Sequence, residues 1–329
     1  MYAMSNEIMV IRNLKTYFLV KKQKNNPVYV RAVDGVSFSI NEGEIMGLVG
    51  ESGSGKSTIA YTIMGMYKPI EGEILFNGEN IITKNNRRTL FFKKNVQIVF
   101  QDPGSSLNPC QDVRQILSLP LEVHKIVPKR QIEDKIAEIL EMVELPKNFM
   151  YKSPNSIGGG EKQLVSIARA LCSNPKFIIL DEPTSSLDVS IQAKIINMLL
   201  KLHNEQKLTY LLITHDLSLM RNIATRVAIM YLGKICEIAP TENFYRNPLH
   251  PYTQMLLSSI PVISEEEEAL KPKKVMSVGE IPSPVNVPQG CSFHTRCNQK
   301  LDICCSEDPE MIEISKGHFV RCHLYKTAN

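Results

Sequence analysis

Three groups of residues have types and spacings that could do chemistry. The first is Gly50-Glu51-Ser52-Gly53-Ser54-Gly55-Lys56-Ser57-Thr58, which fits the phosphate-binding pattern G-x-x-x-x-G-K-S/T. Glycines there let successive backbone N–H groups turn inward around phosphates. Lys56 supplies a point charge for the terminal phosphates, and the Ser57 hydroxyl suits Mg²⁺. The second group is Leu180-Asp181-Glu182-Pro183. Asp181 can hold the same Mg²⁺, usually through water, which leaves Glu182 to polarise an attacking water; adjacent carboxylates of this kind serve metal-assisted phosphoanhydride hydrolysis. The third group is the cysteines Cys291, Cys297, Cys304, Cys305 and Cys322, crowded near the C-terminus, whereas Cys110, Cys172 and Cys236 stand isolated. In a reducing compartment such a crowd favours metal binding over disulfides. The spacing is not the paired C-x-x-C of a zinc ribbon. On the residues alone an iron–sulfur cluster, zinc, and free or structural thiols all stay open.

These residues need elements to position them. Glu44-Ile45-Met46-Gly47-Leu48-Val49 reads as an apolar strand entering the phosphate loop, and the stretch from Thr58 through Met64 reads as a helix leaving it. The N-terminus of that helix adds partial positive charge behind a bound anion. Phe177-Ile178-Ile179-Leu180 and Tyr210-Leu211-Leu212-Ile213 are short continuous apolar runs ending in acidic or His-containing turns, as buried parallel strands flanked by helices do. Upstream, Val28 to Val33 and Val36 to Ile40 alternate with period two, after a polar loop from Lys21 to Asn26. Gly72 to Gly78 and Val96 to Phe100 read as further strands. From Val113 to Lys152 the pattern turns helical, with Ile132, Ile136, Ile139 and Leu140 on one face, which makes a helical insert in an α/β core. Beyond Asn247 the chain grows richer in Pro, charge and Cys, and Ser264 to Glu268 is an acidic, solvated stretch. A boundary near residue 245 follows.

At 329 residues, 43% hydrophobic and 22% charged, the chain can fill a large core. A net charge of +4 with scattered Lys and Arg gives no basic stripe, so nucleic acid is not an expected partner. No apolar run approaches a membrane span and no apolar segment opens the chain, so a cytoplasmic location is expected, with any work at a membrane done through a partner.

The order of the motifs resembles the ATP-binding subunits of ABC transporters along the whole chain. Gly50 to Thr58 matches the Walker A motif, Gln101 the Q-loop, and Ile157-Gly158-Gly159-Gly160-Glu161 the signature position. Ile178 to Glu182 matches Walker B, Ser185-Ser186-Leu187-Asp188 the D-loop and Thr214-His215-Asp216 the H-loop. The resemblance implies an ABC-type P-loop ATPase domain over residues 1–245. It would comprise a mixed β-sheet core, an antiparallel β subdomain and a helical subdomain at about 105–170, followed by a small cysteine-containing extension at 246–329. It also implies ATP and Mg²⁺ as cofactors, with Ser57, Gln101 and Asp181 on the metal, Lys56 on phosphate, and Glu182 and His215 at the attacking water. Phe18, with Tyr17 next, fits the aromatic on which adenine stacks. Two such domains face head to tail, so Gly158 to Glu161 would serve the nucleotide of the opposite one. Gln101 would link the nucleotide to the helical insert, which in importers docks on a membrane subunit.

The signature departs from the usual Leu-Ser-Gly-Gly-Gln, with Gly158 for Ser and Glu161 for Gln. The missing hydroxyl donates to the γ-phosphate, a charge-assisted bond worth roughly 1.5 to 3 kcal/mol. An asymmetric heterodimer with a second, homologous ATPase is therefore expected. Outside the shared motifs, Gln101 to Pro109, Asn247 to Thr253 followed by Leu256 to Pro261, and the run Gly290-Cys291-Ser292-Phe293-His294-Thr295-Arg296-Cys297 with Cys304 and Cys322-His323 resemble the ATPases of oligopeptide, dipeptide and nickel importers. That resemblance implies a 4Fe-4S cluster on Cys291, Cys297, Cys304 and Cys322, with Cys305 extra. It further implies two permease chains, an extracellular solute-binding protein acting indirectly, and a peripheral place on the cytoplasmic face of the membrane. Peptides are the favoured cargo, nickel or another small solute the alternative, and a soluble non-transport ABC ATPase the remaining one.

Overall fold

Uninterrupted runs of Ile, Leu and Val fold here as strands buried on both faces, and the phosphate loop, Asp181 and His215 lie at or just after the ends of three of them. The computed structural model describes residues 6–21, 27–185, 187–260 and 279–325. Most of the polar loop after Lys21, Ser186 of the D-loop, Pro261 and the acidic stretch Ser264 to Glu268 lie outside the described residues. The chain has an α/β fold with mixed sheet and helical elements, divided into two units.

The first unit comprises residues 1–7, 41–44 and 81–213. Its strands Val96–Val99, Phe177–Asp181 and Thr209–Thr214 are parallel, with Val96 opposite Phe177 and Phe177 opposite Thr209. All positions of the last two strands are buried. The crossover helix Val189–Gln206 buries Ile195, Met198, Leu199 and Leu202, each worth about 1.5 to 3 kcal/mol on the hydrophobic scale. The polar, periodic region forms the helices Val113–Val123 and Ile132–Met142, and Ile132, Ile136, Ile139 and Leu140 are buried as their spacing required. A capping box starts the former helix: the Asp112 carboxylate accepts from Gln115 N–H and the Gln115 side chain accepts from Asp112 N–H.

The second unit comprises residues 8–40, 45–80 and 214–329. One of its sheets orders Val28–Asn41, Glu7–Lys21, Glu71–Phe76 and Glu79–Asn80 side by side, with Met9 opposite Phe76 in an antiparallel pair. The two alternating runs upstream of the phosphate loop form a single strand, Val28–Asn41. The other sheet includes the fully buried strand Ile45–Val49, parallel to Arg226–Tyr231, which pairs antiparallel with Lys234–Pro240. Two strands of the C-terminal region, Met311–Ser315 and His318–Arg321, form a hairpin that continues this sheet through Glu237 opposite Val320. The sequence reading expected a small cysteine-containing extension here and did not identify these strands or their pairing. Glu237 is 0% exposed and fully engaged. It accepts from the N–H groups of Leu249 at 2.9 Å and His250 at 2.8 Å, and His318 Nε2 lies 2.8 Å from its carboxylate. A buried carboxylate survives only with such partners.

Candidate functional site

The strand Ile45–Val49 delivers the chain into the phosphate loop, and Gly55 caps the helix Lys56–Met64 in the left-handed region at φ 109°. A Cβ there would stand 2.0 Å from Ala32 O, and one at Gly50 would stand 2.2 Å from Met230 O. Only glycine fits either place. The absent side chains leave open backbone at a helix N-terminus, and no acidic residue occupies the first turn of that helix. Lys56 is buried and its Nζ donates to Gly50 O at 2.8 Å and Glu51 O at 3.0 Å. Its charge therefore sits inside the glycine loop. Ser57 is half-buried in the first turn, with Thr58 beside it. The Gly233 N–H donates to Ser54 O at 2.9 Å, fixing the far side of the loop. Glu51 is held from the C-terminal region by Tyr252 and Arg296, two residues that sequence reasoning did not assign to the site.

Phe18 is half-buried near the end of Glu7–Lys21, its ring edge-on to Tyr67 at 4.9 Å. Tyr17 donates its hydroxyl to Asp34. Burial, helped by that carboxylate, pushes the Tyr17 phenol up to about 12. Of the two aromatics, Phe18 is the one without a polar anchor.

In the first unit, Asp181 closes its strand fully buried, and the next residue turns sharply: Glu182 has φ 46°. A left-handed conformation in a non-glycine residue costs on the order of 1 to 3 kcal/mol and persists where the surroundings enforce it. Here the Glu182 N–H is tied to Ile213 O at 2.8 Å, and Gln101 Nε2 donates to Glu182 Oε2 at 3.0 Å. Two residues expected at the site, 81 positions apart, are thus in direct contact.

His215 is exposed directly after the strand Thr209–Thr214. Asp216 caps the helix Leu217–Ile223 by accepting from Leu219 N–H. This cap fixes the turn from which His215 projects.

At the signature position Gly158 is the N-cap of the helix Gly159–Leu171, with φ −70° and ψ 169°. Its N–H donates to Glu161 Oε2 at 2.8 Å, the backward half of a capping box. A Cβ at Gly158 would meet only that carboxylate oxygen, at 3.8 Å. At Gly160 a Cβ would meet Ile191 Cγ2 at 2.8 Å, so Gly160 is required by packing.

The four cysteines expected as ligands gather with a fifth. Cys291 N–H donates to Cys304 O at 2.9 Å. Burial raises the Cys291 thiol to about 12, and Cys304, Cys322 and Cys297 add to the effect. Burial also raises Cys322, to about 11, with Cys297 and Cys304 contributing. Cys236, isolated in the sequence, is buried on Lys234–Pro240 within electrostatic reach of Cys291 and Cys322. Cys305 is exposed. Among the described residues, however, no three His, Cys, Asp or Glu side chains are arranged to hold a metal ion. The donor chemistry suits a cluster; the arrangement as it stands does not form its ligand set. For nucleotide phosphates the loop does fit, with its glycine cradle and buried lysine, and Asp181, at the end of its own strand, has the donor chemistry of a Mg²⁺ ligand.

Comparison with known proteins agrees with this geometry. Residues 33–185 match the family model described as ABC transporter, and residues 236–304 match the oligopeptide/dipeptide transporter, C-terminal region. The oligopeptide transport ATP-binding protein AppF of Bacillus subtilis is 46% identical over 321 residues, covering 97% of this chain and 97% of that protein. The putative oligopeptide transport ATP-binding protein YkfD of the same organism is 44% identical, covering 98% and 96%. Among solved structures, cbiO1 from Clostridium perfringens, part of the ABC transporter complex cbiONQ, superposes with a TM-score of 0.63 at 26% identity, covering 74% of this chain and 92% of that one. A dimeric post-hydrolysis state of an ATP-binding cassette bound to ADP and Pi gives 0.59 at 28% identity, covering 71% and 98%. A phosphate cradle, a strand-end carboxylate pair and this near-half identity along the whole length lead to one assignment: the chain belongs to the ABC transporter family of ATP-hydrolysing, ATP-binding proteins, in the branch that carries the oligopeptide/dipeptide C-terminal region.

Proposed function

We propose that this chain is the motor subunit of a peptide importer, coupling ATP binding and hydrolysis to solute uptake through two membrane permease chains. The observation that carries this reading is the match of residues 236–304 to the oligopeptide/dipeptide transporter C-terminal region, on a chain that also holds the full ATPase motif set. Among the described residues no helix is long and apolar enough to cross a membrane, so the route for solute has to come from partners. A peripheral position on the cytoplasmic face follows from that dependence. Residues 1–245 form the nucleotide-binding domain in this reading, and 246–329 the extension.

In this reading Ser57, Asp181 and Gln101 would hold Mg²⁺, which would supply neutralising charge at the phosphates. Lys56 binds the terminal phosphates and Phe18 stacks on adenine. Glu182 orients the attacking water and His215 contacts the γ-phosphate. The hydrogen bond from Gln101 to Glu182 supports a role for Gln101 in reporting the state of that carboxylate to the helices beyond it. A second, homologous ATPase completes the dimer, and the site served by Gly158 to Glu161 turns over slowly because Gly158 lacks the hydroxyl that donates to the γ-phosphate and Glu161 adds negative charge there. A 4Fe-4S cluster on Cys291, Cys297, Cys304 and Cys322 is the finer reading of the cysteine group; binding would draw together thiols that are neighbours but not in a metal-ligating arrangement. Iron and acid-labile sulfide assays after anaerobic purification test it, and a colourless protein with stoichiometric zinc would refute it.

The transport reading is tested by tagging the chain in its host, solubilising membranes in mild detergent and identifying what co-purifies, together with uptake of labelled peptides. Two polytopic permeases, a second ATPase and loss of peptide uptake in a Lys56→Ala strain are expected. Uptake of a nickel complex instead would shift the cargo, and recovery with ribosomes or DNA enzymes would sink the reading.

A further inference from the structure

An acidic residue inside an anion-binding loop is electrostatically misplaced. Glu51 follows the first glycine of the phosphate loop, and its side chain is only 23% exposed. Left alone, its carboxylate would repel the phosphates that the loop is built to hold. It is not alone. Arg296, 7% exposed and 245 residues away, clamps it with a two-point fork: Nη1 to Oε2 at 2.9 Å and Nη2 to Oε1 at 3.2 Å. The planar guanidinium matches a carboxylate in a way a lysine cannot. Tyr252 completes the grip, accepting from Glu51 N–H at 3.1 Å and donating its hydroxyl to Oε2 at 3.2 Å. The same Glu51 offers its carbonyl to Lys56 Nζ.

The clamp is anchored in the cysteine-bearing loop. Arg296 lies between Cys291 and Cys297, and its neighbour Phe293 packs on Tyr231 and Tyr252 with ring centroids 5.3 and 5.2 Å apart. The guanidinium stands 5.8 Å from the Tyr231 ring centre, where its charge faces π density. All three aromatics are buried. The loop from 291 to 297 is therefore joined to residue 51 through packed, polar-anchored contacts.

We propose that Arg296 is a positioning residue for nucleotide binding: from the cysteine-bearing loop it neutralises Glu51 and fixes the entrance of the phosphate loop, so that the C-terminal region sets the affinity for MgATP.

The test is a titration of the full-length chain with a fluorescent ATP analogue and Mg²⁺, alongside ATPase kinetics and thermal unfolding. Arg296→Met leaves a half-buried carboxylate without its cation in the phosphate loop; about a tenfold weaker Kd is expected, with kcat at saturating ATP within about twofold. Glu51→Gln removes the charge that needs neutralising, and the double variant Glu51→Gln/Arg296→Met should bind as well as Glu51→Gln alone. A purely structural Arg296 would lower the unfolding temperature without moving Kd, and Glu51→Gln would not restore binding; either result overturns the proposal. Should Arg296→Met not fold, Arg296→Lys keeps the charge but loses the fork. It is expected to weaken binding about threefold, and an unchanged Kd for it overturns the proposal equally.

Discussion

The phosphate loop and the signature turn are both glycine N-caps at the start of a helix, and they treat the positive end of that helix in opposite ways. Gly55 sits in the left-handed region with no acidic residue in the following turn, and Lys56 is folded back on the loop's own carbonyls. That helix end is kept for an anion from outside. Gly158 has ordinary extended geometry, and its N–H is already given to Glu161, one turn along. That helix end carries its own anion. Glycine is thus imposed by sterics at one cap and left unforced at the other, and a motif read by residue type alone would treat the two alike.

The sharpest way to break this contrast is to place the same methyl on both caps. Gly55→Ala drives a Cβ into Ala32 O at a positive φ, and a loss of at least about 3 kcal/mol in stability or a hundredfold in MgATP affinity is expected. Gly158→Ala should alter stability by less than about 0.5 kcal/mol, since only the Glu161 carboxylate lies within reach. Equal effects in thermal unfolding and nucleotide titration would dissolve the distinction. Removing the lysine behind the open cap, Lys56→Ala, should weaken MgATP binding by about a hundredfold, roughly 2.7 kcal/mol. Gly158→Ser, which has room for its hydroxyl, should complete the capping box by accepting from Glu161 N–H, add the hydroxyl the turn lacks, and raise steady-state ATPase activity of the assembled complex a few-fold. No change in that assay would count against slow turnover at the site this turn serves.

A pH titration sharpens the contrast on the stability side. Burial holds His250 neutral with its pKa lowered to about 4, while the nearby Glu237 carboxylate opposes the shift. The folded value lies below the unfolded one of about 6.5, so the unfolded state binds more protons between them. The stabilisation is therefore complete above pH 6.5 and is lost as pH falls toward 4, by about 3 kcal/mol at roughly 1.4 kcal/mol per unit. Denaturant unfolding between pH 7 and 4.5 checks this, and His250→Asn should remove most of the slope.

What could be read from the sequence was what is local. The phosphate loop, its strand and its helix lie within about one supersecondary unit, so residue order alone specified their geometry. The insert was legible because Ile132, Ile136, Ile139 and Leu140 repeat with the helical period. The contact between Gln101 and Glu182 could be expected only through family resemblance, because nothing near either residue encodes the other. The Arg296–Glu51 clamp and the place of Cys236 among the other cysteines were invisible for the same reason: strand pairing and loop packing bring them together over long sequence separations. The C-terminal hairpin was missed because its strands are short and Met311–Ser315 is largely exposed, leaving little alternation to detect.

That hairpin bears on how the chain behaves among its own copies. By pairing with Lys234–Pro240 it covers main-chain groups that would otherwise form an open sheet edge, and the edge it presents in turn is a short strand with Glu313 on it and Lys316 in the adjoining turn. Short, charged edges discourage strand addition by neighbouring molecules, whereas the longer, apolar Lys234–Pro240 would invite it. Trimming the chain before residue 311 would convert a closed margin into a template for intermolecular pairing, with aggregation during synthesis as the consequence.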